Sequence, residues 1–256
     1  MTSIIFARPR YDYDSYKDLY RLIELSGYKL IYFDEIDPQS DNVYIMTLVN
    51  GENNGGFPGA KARIILYDLE WRLDGEYPQL PGVNEIWAGD FWYAEQIKAK
   101  YVLLGSHPGL ALTPPNGNER PFDVAMLSYM THRRMCVFDD MIAHGLRVAP
   151  NGWDGDRDAI LNATKIMLHV HQNEFAHTVA PQRFALAAAY RLPLISESLW
   201  ERGVFTQDFV LTADRENIPD LVKYWRFNAD LEARAGALHQ LLCHELTFRK
   251  CIEAAI

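Results

Sequence analysis

Cysteine is scarce in this 256-residue chain: Cys136, Cys243 and Cys251 are three, an odd number, and widely scattered. That excludes a disulfide framework or a zinc-type cysteine spacing, and it fits a reducing cytoplasm. Long apolar runs are missing too, since nothing approaches the roughly 18 residues that a membrane helix needs. The first residues, MTSIIFARPRYDYD, hold a four-residue apolar run before charges begin, which predicts no signal peptide. Positive charge is also short. With 25 Lys and Arg against 34 Asp and Glu, the net charge is −9, which argues against broad binding to a phosphate backbone. Three signatures do not occur: the dinucleotide pattern G-x-G-x-x-G, the P-loop, and G-x-S-x-G. Their absence removes the usual marks of dehydrogenases, nucleoside triphosphatases and serine hydrolases. The expectation is a soluble cytoplasmic protein without a membrane span.

Hydrophobic residues at 48% and charged residues at 23% describe an ordinary globular composition. The 14 Tyr and 6 Trp favour core packing first, and stacking on a base or sugar second. Short strands alternate with helices. Ser3–Ala7 reads as a buried strand, followed by a helix from about Asp14 to Leu25 with Gly27 as its terminator. Strands are expected at Lys29–Phe33, Val43–Val49, Arg63–Leu69, Glu85–Ala88 and Tyr101–Leu104, with a helix at Phe91–Ala99. Leu112–Phe122, LTPPNGNERPF, reads as a linker. After it the alternation resumes: strand Val124–Ser128, helix Arg133–His144, strand Leu146–Ala149 and helix Arg157–Ala163. Strand Ile166–Val170, a helix opened by Ala180-Pro181-Gln182-Arg183 and a strand from Leu192 come next. A strand near Phe209–Thr212 and helices Ile218–Trp225 and Asp230–Leu246 end the pattern. Such alternation predicts parallel sheets covered by helices. Two similar halves imply two small Rossmann-like α/β domains, 1–115 and 122–256.

Open α/β sheets bind ligands beyond the carboxyl ends of their strands, where helix N-termini favour phosphate. Candidates cluster at such places. His132, Arg133 and Arg134 open a helix after a strand, and paired guanidinium donors suit a diphosphate. His169 and His171 alternate with apolar residues, so both face one side of their strand, with Gln172 next and Gln182 and Arg183 at the following helix start. Glu197 closes the next strand, where its carboxylate can accept hydrogen bonds from hydroxyls. Trp153 sits in a loop with glycines, suited to stacking. No third ligand at convincing spacing accompanies the histidines, so no metal is expected. His239, Cys243 and His244 share a helix face and read as packing residues. In the first half, Arg8 and Arg10 follow the first strand, and Asn54 lies in the glycine-rich GENNGGFPG loop, all candidates for an acceptor site. Glu70 and Asp90 end strands and are candidate general bases, though each also suits a cap or a surface charge.

The second half resembles the donor domain of GT-B glycosyltransferases, in particular the spore-maturation-type and "glycosyl transferases group 1" proteins. The residues that carry the resemblance are Lys165-Ile166-Met167-Leu168-His169-Val170-His171, Arg183-Phe184, Ala187-Ala188-Ala189 and Leu192-Pro193-Leu194-Ile195-Ser196-Glu197. Asp208-Phe209-Val210, ahead of a helix with Leu221, Val222 and Tyr224, is similar as well, as are Ile86-Trp87 and Tyr101 to Ser106. The likeness spans roughly residues 60–227 as a scattered pattern. It implies two Rossmann-like domains facing across a cleft in a compact version. It also implies a nucleotide diphosphate sugar donor as substrate, no cofactor, and metal-independent transfer to an acceptor hydroxyl. The acceptor is open: a glycan, a protein or modified DNA. Two positions depart from the pattern. Leu186 stands where a ribose-contacting glutamate is expected, and Arg191 where glycine is expected. The departures keep a second reading in play, a non-catalytic binding or assembly protein. A third, glycosylation of modified DNA bases, would need a small basic patch around Arg8, Arg10 and Lys61.

Overall fold

A computed structural model describes residues 2–10, 16–47, 56–69, 80–112, 120–151, 157–172, 179–199 and 206–256. The fold is α/β with two separate parallel sheets. By compactness the chain falls into two units. One comprises Met1–Gly105, Ala180–Gln182 and Phe248–Ile256, the other Ser106–Val179 and Arg183–Thr247. The expected division into 1–115 and 122–256 has no place for the two later segments that group with the first unit.

In the first unit the strands are β1 (Ile4–Arg8), β2 (Lys29–Tyr32), β3 (Val43–Thr47), β4 (Arg63–Asp68), β5 (Glu85–Ala88) and β6 (Lys100–Tyr101). They lie in the order β2-β1-β3-β4-β5-β6, and every pairing is parallel. All five residues of β3 and the last five of β4 are buried, as central strands covered on both faces must be. Helix α1 (Lys17–Leu25) turns Leu19, Tyr20, Leu22 and Ile23 inward. It stops at Gly27, whose φ of 80° is the left-handed conformation that glycine adopts without strain. Helix α2 (Phe91–Ile97) is capped by Asp90, which accepts a hydrogen bond from the Tyr93 N–H at 2.8 Å.

The second unit has β7 (Phe122–Ala125), β8 (Thr164–His169), β9 (Leu194–Glu197) and β10 (Val210–Ala213), all parallel, in the order β10-β9-β8-β7. Val148 bridges Val124 on the free side of β7, so the expected strand 146–149 contributes one ladder step. Read across, the chain order is second, first, third, fourth, fifth, the doubly wound arrangement, and the first unit begins the same way. Its helices are α3 (His132–Ala143), α4 (Arg157–Asn162), α5 (Pro181–Ala189), the short α6 (Thr206–Phe209), α7 (Ile218–Trp225) and α8 (Ala229–Gln240).

Several elements differ from expectation. The strand expected at 101–104 is only Lys100–Tyr101. The long helix expected over 230–246 ends at Gln240 and passes into a widened turn, Leu241–Glu245, where the Leu246 N–H reaches the Leu241 carbonyl five residues back. A further helix, α9 (Phe248–Ala255), follows and belongs to the first unit. Phe248, Ile252 and Ala255 form its buried stripe, and the Phe248 ring packs on Phe6 and Tyr28 with centroids 5.5 and 6.1 Å away. Among the described residues, no helix is long and apolar enough to cross a membrane.

At the amino end of the second sheet, Asp123 is 1% exposed and gathers Lys165 Nζ at 3.0 Å, Arg226 Nη1 at 3.2 Å and the Arg147 backbone N–H at 3.0 Å. Burial opposes its ionisation, but the Arg147 N–H and the Lys165 ammonium outweigh burial and hold the carboxyl below its ordinary value. Asp123→Asn should therefore destabilise the fold by about 2–3 kcal/mol in urea unfolding at neutral pH, less than a fully buried pair because the cations are partly solvated. Because the folded pKa is depressed, that stabilisation is present above the ordinary carboxylate pKa and disappears as pH falls through the folded one. The difference between the two proteins should shrink accordingly in acid.

Arg191, where the resemblance expects glycine, has φ 51°, the left-handed conformation that glycine would adopt. The backbone thus keeps the glycine geometry with a side chain that disfavours it. Arg191→Gly should raise stability by about 1 kcal/mol, measured as a shift of the urea midpoint at unchanged m-value.

Candidate functional site

The direction of strand succession in the second sheet reverses between β7 and β8, and a doubly wound sheet opens a crevice at the carboxyl ends of such a pair. The side chains found there are cationic. α3 starts just past β7, its first turn capped by Thr131, whose Oγ1 accepts from the Arg134 N–H at 3.4 Å. Arg134 is 4% exposed, although its residue type is nearly always solvated. Its Nε–H donates to the Val170 carbonyl at 3.0 Å and its Nη1 to the Tyr129 carbonyl at 2.7 Å. Arg183, in the first turn of α5, donates to His169 Nδ1 and, at 2.5 Å, to Ser128 Oγ. Arg133 donates to Glu197 Oε1, while Glu197 Oε2 accepts the His171 backbone N–H at 3.1 Å. The His171 Nε2–H donates to the Ser198 carbonyl at 3.0 Å. The rings of His169 and His171 lie edge to face with centroids 5.2 Å apart, so the two-residue spacing brings them together on one side of the strand.

The electrostatics are unusual. Burial lowers the Arg134 pKa to about 10, with Glu197 opposing the fall. Burial lowers the Arg183 pKa to about 9, and repulsion from Arg134 adds to it. The guanidinium groups are held by neutral acceptors, two carbonyls, a hydroxyl and an imidazole nitrogen, which satisfy hydrogen bonds without neutralising charge. Among the described residues, Arg133, Arg134 and Arg183 bring three positive charges to this hydrogen-bonded network and Glu197 brings one carboxylate. Such a place is complementary to a multiply charged anion, which would bind through charge-assisted bonds to preformed forks.

The structure thus joins Arg133, Arg134, His169, His171, Arg183 and Glu197 in one network within the second unit. His132 is instead exposed and faces Cys136 Sγ at 3.8 Å. Gln172 is exposed, and Gln182 groups with the first unit. Glu70, Asn54 and Trp153 lie outside the described residues. In the first unit, the Arg8 guanidinium sits over Tyr20 and Tyr32 at 4.7 and 5.0 Å from the ring centroids. Arg10 pairs with Asp34 at 2.8 Å and lies over Tyr32. The Asp90 carboxyl is raised by burial, although the Tyr93 and Trp92 N–H groups favour its charged form. Its place is the start of α2. Among the described residues, no group of three or more His, Cys, Asp or Glu could hold a metal ion.

Sequence reasoning passed over Ser128 and the Tyr129 carbonyl, which hold Arg183 and Arg134, and Asn151, whose Nδ2 donates to the Ser128 carbonyl at 3.0 Å. Their signal was positional: Ser128 and Tyr129 follow the first strand of a doubly wound sheet, and Asn151 follows the second, at Val148.

No family model and no curated protein matches the chain. One similar solved structure is the E. coli RcsC C-terminus, residues 700–949, with its linker region and phosphoreceiver domain. It is 12% identical and covers 93% of this chain and 94% of that one at a TM-score of 0.25, a likeness that carries no argument here.

Glu197→Gln would keep a hydrogen-bond acceptor and remove the carboxylate that Arg133 and the His171 N–H share. It should lower stability by about 1–3 kcal/mol in denaturant melts. Inorganic pyrophosphate should restore part of the loss, since an added anion supplies the missing charge. Equal stability of the two proteins, with and without pyrophosphate, would show that the cluster is electrostatically balanced without a ligand.

Proposed function

We propose that this chain is a compact GT-B-type glycosyltransferase that transfers a sugar from a nucleotide diphosphate donor to an acceptor hydroxyl without a metal. The observation that carries the reading is the pair of desolvated guanidinium groups, Arg134 and Arg183, held by neutral acceptors at the carboxyl ends of β7 and β8. The proposal includes the two facing Rossmann-like domains that the resemblance implies. Charge grows on the departing pyrophosphate as the glycosidic bond breaks, and cations already stripped of water stabilise it without reorganising. Arg133 would join them through its bond to Glu197, and His169 and His171 would border the donor sugar. The acceptor proton would go to a carboxylate of the first domain. Glu70 is preferred to Asp90, whose carboxylate is engaged by the Tyr93 N–H.

One observation favours a binding protein that does not turn over. Leu186 is 7% exposed in the apolar interior, at the position where the resemblance expects a ribose-contacting acid. Modified DNA is disfavoured as acceptor. Arg10 and Lys61 are paired with Asp34 and Asp41 on the surface, and Arg8 lies over two tyrosine rings.

Calorimetry against a panel of nucleoside diphosphates tests the assignment. Arg183→Ala should weaken the preferred nucleotide by about 1–3 kcal/mol, and an unchanged affinity would remove Arg183 from the site. The pH dependence has a definite sign. The anion favours protonated Arg183, so affinity should stay level at neutral pH and fall as pH rises through about 9. Release of sugar from a nucleotide-sugar panel separates the enzyme from a binder, which would give thermal shifts and no product.

A further inference from the structure

The widened turn after α8 does something that a regular helix cannot. In an α-helix, residues five apart point in different directions, but a turn with its hydrogen bond five residues back places them on one face. His239 and His244 are five apart across the turn Leu241–Glu245, and their rings meet edge to face with centroids 5.1 Å apart. Their Nε2 atoms are 3.3 Å apart. Two imidazoles on a tetrahedral ion, each about 2.0–2.1 Å from it, have nitrogens about 3.3–3.4 Å apart. The Nδ1–H of His239 donates to the Ala188 carbonyl at 2.8 Å, which fixes Nε2 as the free-lone-pair nitrogen and orients the ring as a metal ligand is oriented by its second contact. His239 is 8% exposed, and burial lowers its pKa, which keeps the imidazole neutral. His244 is exposed, so an ion can enter from solvent.

We propose that His239 and His244 bind a divalent transition-metal ion of the zinc type through their Nε2 atoms, the ion replacing the proton now shared between them. Among the described residues no third His, Cys, Asp or Glu completes the set, so water fills the remaining positions. When both imidazoles are neutral, the bridging proton moves to Nδ1 of His244 as its Nε2 takes the ion, so binding releases no net proton. Arg191 is the nearby cation that opposes it, as it already opposes protonation of His239. The site is separate from the anion cluster and does not depend on the chain being a glycosyltransferase.

Titration of the full chain with Zn2+ and with Co2+, in a Cys136→Ser background to remove the exposed His132–Cys136 pair, tests the proposal. One equivalent should bind, and Co2+ should develop the stronger visible bands of a low-coordinate site. His244→Ala, at an exposed position, should weaken binding about tenfold or more, and His244→Gln likewise. His144→Ala should leave it unchanged, while Arg191→Gly should tighten it. Binding that survives in His244→Ala, or that is absent from a folded parent protein as judged by circular dichroism, overturns the proposal.

Discussion

The constraint on which the second unit's chemistry depends is the burial of two guanidinium groups at the ends of adjacent parallel strands. Arginine is expensive to desolvate, and Arg134 and Arg183 are held by carbonyl, hydroxyl and imidazole acceptors that leave the charge in place. Hydrogen bonding alone accounts for their positions and not for their ionisation, which burial opposes in both. A fold that only needed to fill this space would do so with apolar side chains at lower cost. Under the proposed reading the arrangement is preorganisation: the guanidinium groups are desolvated and held in place before a ligand arrives.

The chain reaches this arrangement through local rules that act independently. Central strands buried on both faces set the sheet, and the crossover helices return each strand parallel to the last. Strand order reverses between β7 and β8, the place where doubly wound sheets bring loops and helix starts together at the carboxyl ends. Thr131 starts α3 there, and Pro181 suits the start of α5, since its missing N–H costs nothing in a first turn. Alternation along β8 then puts His169 and His171 on one side. Each step is ordinary, and only their coincidence at one sheet edge makes a cluster of charge.

Much of this was legible in the sequence, and the limits have physical causes. Strands β1, β3, β4, β8 and β9 were visible because apolar runs bounded by turn residues have few other readings. The strand at 146–149 was overread, since its apolar residues serve one ladder step beside β7. The terminal helix α9 was missed because its stripe of Phe248, Ile252 and Ala255 follows directly on a helix, and nothing in composition marks the widened turn between them. At the site, side chains with charge were readable by position. Their holders were not: the Val170 and Tyr129 carbonyls are backbone, which any residue type supplies. Asp90 was readable both as a base and as a cap, and it occupies the cap position.

The two ends of the second sheet show why charge alone does not mark a functional site. At the amino end, Asp123 stands among Lys165, Arg147 and Arg226, and its carboxyl is held below its ordinary value. The ionised form is favoured there, so those charges hold the fold together. At the carboxyl end, Arg134 and Arg183 are also lowered, but for a base that direction means that the ionised form is disfavoured. Linkage makes the contrast quantitative in sign: ionisation of Asp123 adds stability, whereas keeping both arginines charged subtracts it. Charged clusters at the two ends of one sheet thus work in opposite directions. A network that stabilises its own charges explains itself. One that carries charge against its own stability is what the proposal of an anionic ligand accounts for.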